Sequence, residues 1–201
     1  TIVTCPAIAR EAVCAELIAE HGYTLIHPYD NPHIIAGAGT AALELLQDAG
    51  PLDLLLAPIG GGGLLSGTAL AAAAVQPNCR VLGVEPANAN DAQQSWQTGE
   101  IVRLTTVPTT LADGLCTRYV GEHNLPILRQ YVTDILTVTE EEIVTALTFL
   151  WTRLKLVVEP SSAVALAPLL TGKIAGQGQR VGVILSGGNV DIAEIGALFA
   201  A

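Results

Sequence analysis

Methionine is absent from all 201 residues, position 1 included. A translation product starts with methionine, so the sequence is expected to be a piece of a longer protein. Bases are scarce: nine Lys and Arg stand against nineteen Asp and Glu, a formal net charge of −10. A surface that acidic repels phosphodiester backbones and anionic lipid, which excludes nucleic acid and membranes as partners. The four cysteines, at 5, 14, 79 and 116, show no CxxC spacing and are too few for a disulfide framework. They read as free or buried thiols of a reducing compartment, so the expected location is cytoplasmic. No basic, apolar, small-residue signal sequence opens the chain. The histidines at 21, 27, 33 and 123 lack paired metal-ligand spacing.

Hydrophobic residues, by contrast, make up 50% of the chain, enough for a substantial core at a length near one domain of about 150 residues. Leu54 to Val75 runs for 22 residues without a charge, long enough to span a bilayer. Pro58 and four consecutive glycines interrupt it, and a helix loses about 1 kcal/mol at each Gly and about 3 at Pro. It reads instead as a strand, a loop and a helix. Strands are predicted at Ile2–Cys5, Tyr23–Ile26, Leu52–Ile59, Arg80–Glu85, Ile135–Val138, Leu156–Val158 and Val181–Leu185. Helices are predicted from Pro6 to a stop at Gly22, over Thr40–Ala49, from the glycines to Pro77, and around 88–98. Another follows a T-x-x-E capping box at Thr139 and Glu142. Residues 100–118 read as a long loop, and Trp96 and Trp151 as packing residues. Apolar strands alternating with helices predict an α/β fold, a parallel sheet with helices on both faces. The Pro/His/Asn-rich connection at 27–33 is the best domain boundary. Ligands in such sheets bind beyond the carboxyl ends of the strands, in the loops after Ile59, Val84, Val158 and Leu185.

Gly60, Gly61, Gly62 and Gly63, followed by Leu64, can point several backbone N–H groups at one anion, and the next helix adds its positive end. A plain strand-to-helix turn needs one or two glycines, so four indicate phosphate binding. The Walker lysine is missing, since Thr68 follows Gly67. A nicotinamide-dinucleotide site is the rival reading, because Glu85 ends the next strand where a ribose-binding acid belongs. No G-x-G-x-x-G placement fits residues 60–67, however. A second loop, Ser186-Gly187-Gly188-Asn189, also leaves an apolar strand; its serine either bonds a ligand or turns the chain before the last helix. By spacing alone, Glu85, Ala89 and Asp91 read as the donors of a metal site or as an Asx-capped helix start.

Together, GGGGL after a strand and SGGN near the C-terminus resemble the serine/threonine dehydratase and serine racemase family, pyridoxal-phosphate enzymes of the tryptophan-synthase-β type. HPYDNPHIIAGAGT (27–40), GVEPANAND (83–91), LADG (111–114), TVTEEEI (137–143) and RLKLVVEPSSA (153–163) match in order, so the resemblance covers essentially the whole chain. Ala38 departs from it, where the family usually has Gln. The resemblance implies a large cofactor-binding domain over 27–201 and the remnant of a smaller α/β domain over 1–26. It implies that Gly60 to Gly63 and the Leu64 amide cradle the cofactor phosphate, that Ser186 bonds the pyridine nitrogen, and that Gly114 lies against the cofactor. Pro28, Tyr29 and Thr117 would edge the substrate pocket. Glu159 would sit close to the cofactor, and reads equally as an N-cap acid before Pro160. Glu85, Ala89 and Asp91 match the family's divalent-cation position, suited to Mg²⁺ or Ca²⁺.

Such an enzyme needs a lysine for its Schiff base and for the Cα proton. Lys155 and Lys173 are the only two in the chain. Lys173 lies in a Gly-rich polar stretch, and Lys155 matches a family lysine other than the Schiff-base one. The family's S-F-K-x-R-G-A and S-x-G-N-H segments are absent. The expected parent is a dehydratase (ammonia-lyase) for L-serine or L-threonine, or a serine racemase, with a β-hydroxy amino acid going to a 2-oxo acid and ammonia. The chain alone is expected to be inactive, the intact protein a homodimer, and the partner an N-terminal segment or second chain that carries the lysine. The alternatives are a nicotinamide-binding module and a non-catalytic fragment or partner subunit.

Overall fold

Leu54–Pro58 forms strand β1, buried at every position inside a four-stranded parallel sheet of a computed structural model that describes residues 1–199. β2 (Arg80–Pro86) and β4 (Val181–Val183) pair with its two edges, and β3 (Asp134–Val138) pairs with β2, giving the order β3-β2-β1-β4. Leu56 is in register with Leu82 on one side and Val183 on the other. The two-residue period of the strand divides its side chains between two cores. Leu55 and Ala57 join one with residues of α2 (Pro32–Ala49), α3 (Gly63–Val75) and α5 (Asn124–Tyr131). Leu54 and Leu56 join the other with Ile143, Ala146 and Leu147 of α6 (Glu140–Phe149). The fold is α/β, with helices on both faces of the sheet.

Local signals set several helix ends. Thr139 Oγ1 accepts from the Glu142 amide at 3.3 Å while Glu142 Oε2 accepts from the Thr139 amide at 2.8 Å, the capping box read in the sequence. α1 (Arg10–His21) closes at Gly22 with φ +69°, as expected. α2 starts eight residues before the expected Thr40, because Asn31 Oδ1 caps the His33 amide at 2.8 Å and Pro32 takes the first helical position. Gly39 is there for packing: a Cβ on it would stand 2.7 Å from the Gly67 carbonyl oxygen, so α2 and α3 touch backbone to backbone.

Three expected strands do not form. Ile2–Cys5 and Tyr23–Ile26 pair with no strand among the described residues, and Ile2 and Ile26 are 93% and 72% exposed. A strand is held by its neighbour's ladder, and neither stretch has one. Residues 1–26 as a whole contain no buried residue. Leu156–Val158 follows a π-helical turn at Leu150–Leu154 that Lys155 closes at φ +60°. There the Leu156 amide bonds the Leu150 carbonyl and the Val158 carbonyl takes the Trp151 indole, so this backbone serves a helix end. No helix among the described residues is long and apolar enough to cross a membrane, and Leu54–Val75 is β1, the glycine loop and α3.

The α2–α3 crossing yields a test with opposed terms. Alanine raises helix propensity by about 1 kcal/mol over glycine. At Gly67, though, a Cβ would lie 2.4 Å from the Ile35 carbonyl oxygen and 2.5 Å from the Gly39 nitrogen, and overpacking costs about 1–3 kcal/mol or more. Gly67→Ala is expected to lower the melting temperature by roughly 3–10 °C. A melt at or above the parent value would contradict this packing.

Candidate active site

The carboxyl end of β1 delivers Gly60 to Gly63 to the start of α3, with Gly62 at the N-cap in the left-handed region, φ +100°. No hydrogen bond among the described residues uses the N–H groups of Gly60 to Leu64. Five consecutive donors therefore remain at the positive end of a 13-residue helix. The missing side chains make room for Tyr29. A Cβ on Gly61 would meet the Tyr29 ring at 2.3 Å, and one on Gly63 would lie 2.9 Å from the Tyr29 carbonyl oxygen. Asn124 Nδ2 holds both partners, donating to the Tyr29 carbonyl at 3.1 Å and to the Gly61 carbonyl at 3.2 Å. Tyr29 is set in turn by His27, whose Nδ1 accepts from the Tyr29 and Asp30 amides at 3.3 and 2.7 Å. Asp30 then accepts from the Glu122 and His123 amides.

A cavity of about 350 Å³ opens above this loop. Gly60, Gly61, Gly62, Gly63, Leu64, Gly114 and Ser186, the residues expected to touch the cofactor, all line it. So do Pro28, Tyr29 and Thr117, expected at the substrate edge, and Glu159. Glu159 occupies the N-cap of α7 (Pro160–Ala163) with Pro160 next to it, but its side chain makes no cap bond. Its Oε2 accepts instead from the Asn189 amide at 3.0 Å, which ties down the turn that carries Ser186. Burial, then the neighbouring Tyr119, raises the Tyr29 phenol well above its ordinary range, so it stays neutral.

Several residues of the site had no local signal. Arg10, on α1, lines the cavity although it lies far along the sequence from Gly114, Thr117 and Ser186, which line it too. Ser161 Oγ accepts from the Gly114 amide at 3.0 Å and Ser162 Oγ from the Gly187 amide at 3.4 Å, so the two serines inside VVEPSSA hold two of the loops that line the cavity. Neither lysine lines the cavity. Lys155 Nζ donates to the Thr152 carbonyl, and Lys173 Nζ to the Thr137 carbonyl and to Glu142 Oε2 at 2.6 Å.

Glu85, Ala89 and Asp91 lie apart from the cavity, where β2 meets α4 (Asp91–Thr98), each 1% exposed. Glu85 takes the Gln93 amide at 2.7 Å and the Ala92 amide at 3.3 Å, which makes it a remote cap of α4. Asp91 Oδ2 is buried with no hydrogen-bond partner. Burial pushes Glu85 up to about 9, with the Asp91 charge adding to it, and pushes Asp91 up to about 7. No group of three or more His, Cys, Asp and Glu side chains forms a metal site among the described residues. Any ion here would have two carboxylates and the Ala89 carbonyl.

The family described as pyridoxal-phosphate dependent enzyme matches residues 2–187. The L-threo-3-hydroxyaspartate ammonia-lyase of Saccharomyces cerevisiae is 50% identical over 189 residues, 94% of this chain and 58% of that protein. The serine racemase of Schizosaccharomyces pombe is 49% identical over 183 residues, 91% of this chain and 56% of that one. The crystal structure of serine racemase from Dictyostelium discoideum superposes with a TM-score of 0.86 at 43% identity, covering 96% of this chain and 62% of the other. The chain thus spans under two thirds of the length of these relatives.

The loop geometry gives a direct expectation. Gly62→Asp puts a carboxylate against the unspent amides and a side chain at φ +100°. Retention of pyridoxal phosphate by the refolded variant should fall at least about tenfold, since a like charge disfavours an anion there. Undiminished retention in a variant with the parent's circular dichroism would remove the loop from the phosphate site.

Proposed function

This chain belongs to the pyridoxal-phosphate dependent enzymes, and we propose that it is the cofactor-binding portion of one that acts on a small β-hydroxy amino acid. The observation that carries the reading is one cavity lined by five unspent loop amides together with Ser186, Gly114 and Tyr29. Pyridoxal phosphate, when bound, supplies a conjugated ring that draws electrons from the substrate's Cα–H bond. The amides of Gly60 to Leu64 hold the phosphate. Ser186 Oγ bonds the pyridine nitrogen; a neutral hydroxyl does not keep that nitrogen protonated as a carboxylate would, and a weaker electron sink suits loss of a β-hydroxyl. Gly114, its amide held by Ser161, lets the ring lie close. Glu159 fixes the Ser186 turn through Asn189. Pro28, Tyr29 and Thr117 wall the substrate side.

Loss of the Cα proton and the β-hydroxyl, followed by hydrolysis, gives a 2-oxo acid and ammonia; return of the proton to the other face is racemisation. Arg10 is the basic residue lining the cavity among the described residues, and a guanidinium pairs well with a second carboxylate. That favours L-threo-3-hydroxyaspartate, the substrate in the name of the yeast relative. The setting proposed for the intact protein is a cytoplasmic homodimer, and the four free cysteines suit a reducing compartment.

The amine that takes the Cα proton is neither Lys155 nor Lys173, which are tied to carbonyls away from the cavity. A preceding segment or partner chain supplies it, and these residues alone do not turn over. Incubation with pyridoxal phosphate and reduction with borohydride should leave both lysines without a stoichiometric label. A full label on Lys155, with 2-oxo acid release from L-serine or L-threonine, would overturn this assignment.

Glu85, Asp91 and the Ala89 carbonyl are the oxygen donors that would hold a divalent cation, Mg²⁺ or Ca²⁺. Two buried carboxylates without a salt bridge and the orphaned Asp91 Oδ2 support it. Both folded-state values lie above the unfolded ones of about 4. Without a cation, then, the stability these groups allow is fully present below about pH 4 and is lost as pH rises through about 7 and about 9. Chelated protein should melt progressively lower across that window, and excess Mg²⁺ or Ca²⁺ should restore it. In Asp91→Ala the difference should vanish. Identical melts with and without chelator would leave Glu85 as a helix cap only.

A further inference from the structure

α1 buries none of its residues, and a gap of about 220 Å³ separates it from Leu25 to Tyr29. Packing therefore does little to hold residues 1–26 against the sheet domain. Among the described residues, one hydrogen bond joins the two parts: Tyr119 Oη donates to Glu11 Oε1 at 2.6 Å. That short, charge-assisted bond sits one residue from Arg10, the cation of the cavity. Tyr119 is itself held from two sides. The Arg103 guanidinium lies 3.9 Å from its ring centroid, and the Tyr29 ring stands edge-on at 6.4 Å. Tyr29 rests in turn on Gly61. Glu11, Tyr119, Tyr29 and the glycine loop thus form a continuous chain of contacts, and a side cavity of about 70 Å³ beside it shares Arg10, Tyr29 and Thr117 with the main one.

We propose that Tyr119 and Glu11 are a positioning pair, a clasp that holds α1 and its Arg10 over the cofactor cavity. The clasp stands on the contacts themselves; its bearing on catalysis rests on the cofactor reading above. Without it, α1 keeps its own helical bonds but loses its polar anchor, and Arg10 leaves the cavity with it.

Hydrogen exchange on the full chain tests this. In Tyr119→Phe and in Glu11→Ala, exchange across residues 10–21 should speed up about fivefold, the effect of losing one net hydrogen bond. Exchange in β1 and α3 should not change. Glu11→Gln keeps a carbonyl acceptor and should stay near the parent rate. The Tyr119 phenol is held above its ordinary range, chiefly by its bond to Glu11. Its ¹³Cζ resonance should therefore titrate at lower pH in Glu11→Ala. Added pyridoxal phosphate should slow exchange of 10–21 in the parent and fail to do so in Tyr119→Phe. Equal exchange of 10–21 in parent and variants, or a uniform rise that includes β1 and α3, would overturn the clasp. A parent that shows no cofactor effect, while the variants still differ in 10–21, would support the clasp and count against the cofactor reading.

Discussion

Tyr29 and the glycine loop compete for the same volume, and the site exists because the loop gives way. The ring of Tyr29 fills the space of a Gly61 Cβ, its carbonyl crowds Gly63, and Asn124 bonds both backbones at once. Any side chain at those positions would push Tyr29 out and turn the loop. With none, the loop lies flat on the aromatic residue and its amides stay free to face the cavity. The remaining parts of the cavity are arranged around this contact: His27 and Asp30 fix Tyr29 from one end, and Ser161 and Ser162 fix the two loops that face it.

The electrostatics divide into two regions with different purposes. Around the loop, backbone dipoles and Arg10 make a local positive site on a chain of net charge −10, which suits an anionic cofactor and substrate. At the β2–α4 junction, two carboxylates are buried together, one spent on helix amides and one with a free oxygen. Burial makes that junction costly when both are ionised, a cost that the proposed cation would offset.

How far the sequence could be read depended on whether a feature was local. β1 to β4 each announced themselves as an apolar run, and the Thr139–Glu142 box sits within four residues. Gly60 to Gly63 and Ser186, which line the cavity, stood out because loss of Cβ, or a serine beside glycines, is visible in one dimension, whereas Gly114 was named only through the family resemblance. Ile2–Cys5, Tyr23–Ile26 and Leu156–Val158 have the same composition as strands, but pairing is decided by a neighbour that no local pattern reveals. The early start of α2 was hidden by Gly37 and Gly39; for Gly39 the reason is a contact with Gly67 on another helix. Arg10, Asn124 and Tyr119 reach the site only through tertiary structure, which is why their types carried no signal.

The central claim is that the free amides of Gly60 to Leu64 receive a phosphate. Amide shifts of the ¹⁵N-labelled chain, titrated with pyridoxal phosphate and separately with pyridoxal, test it most directly. Pyridoxal phosphate should move the resonances of Gly60 to Leu64 strongly downfield in the proton dimension, as hydrogen bonds to an anion form. Pyridoxal, which lacks the phosphate, should move them little. Equal responses to the two compounds, or shifts confined to other parts of the chain, would contradict the account.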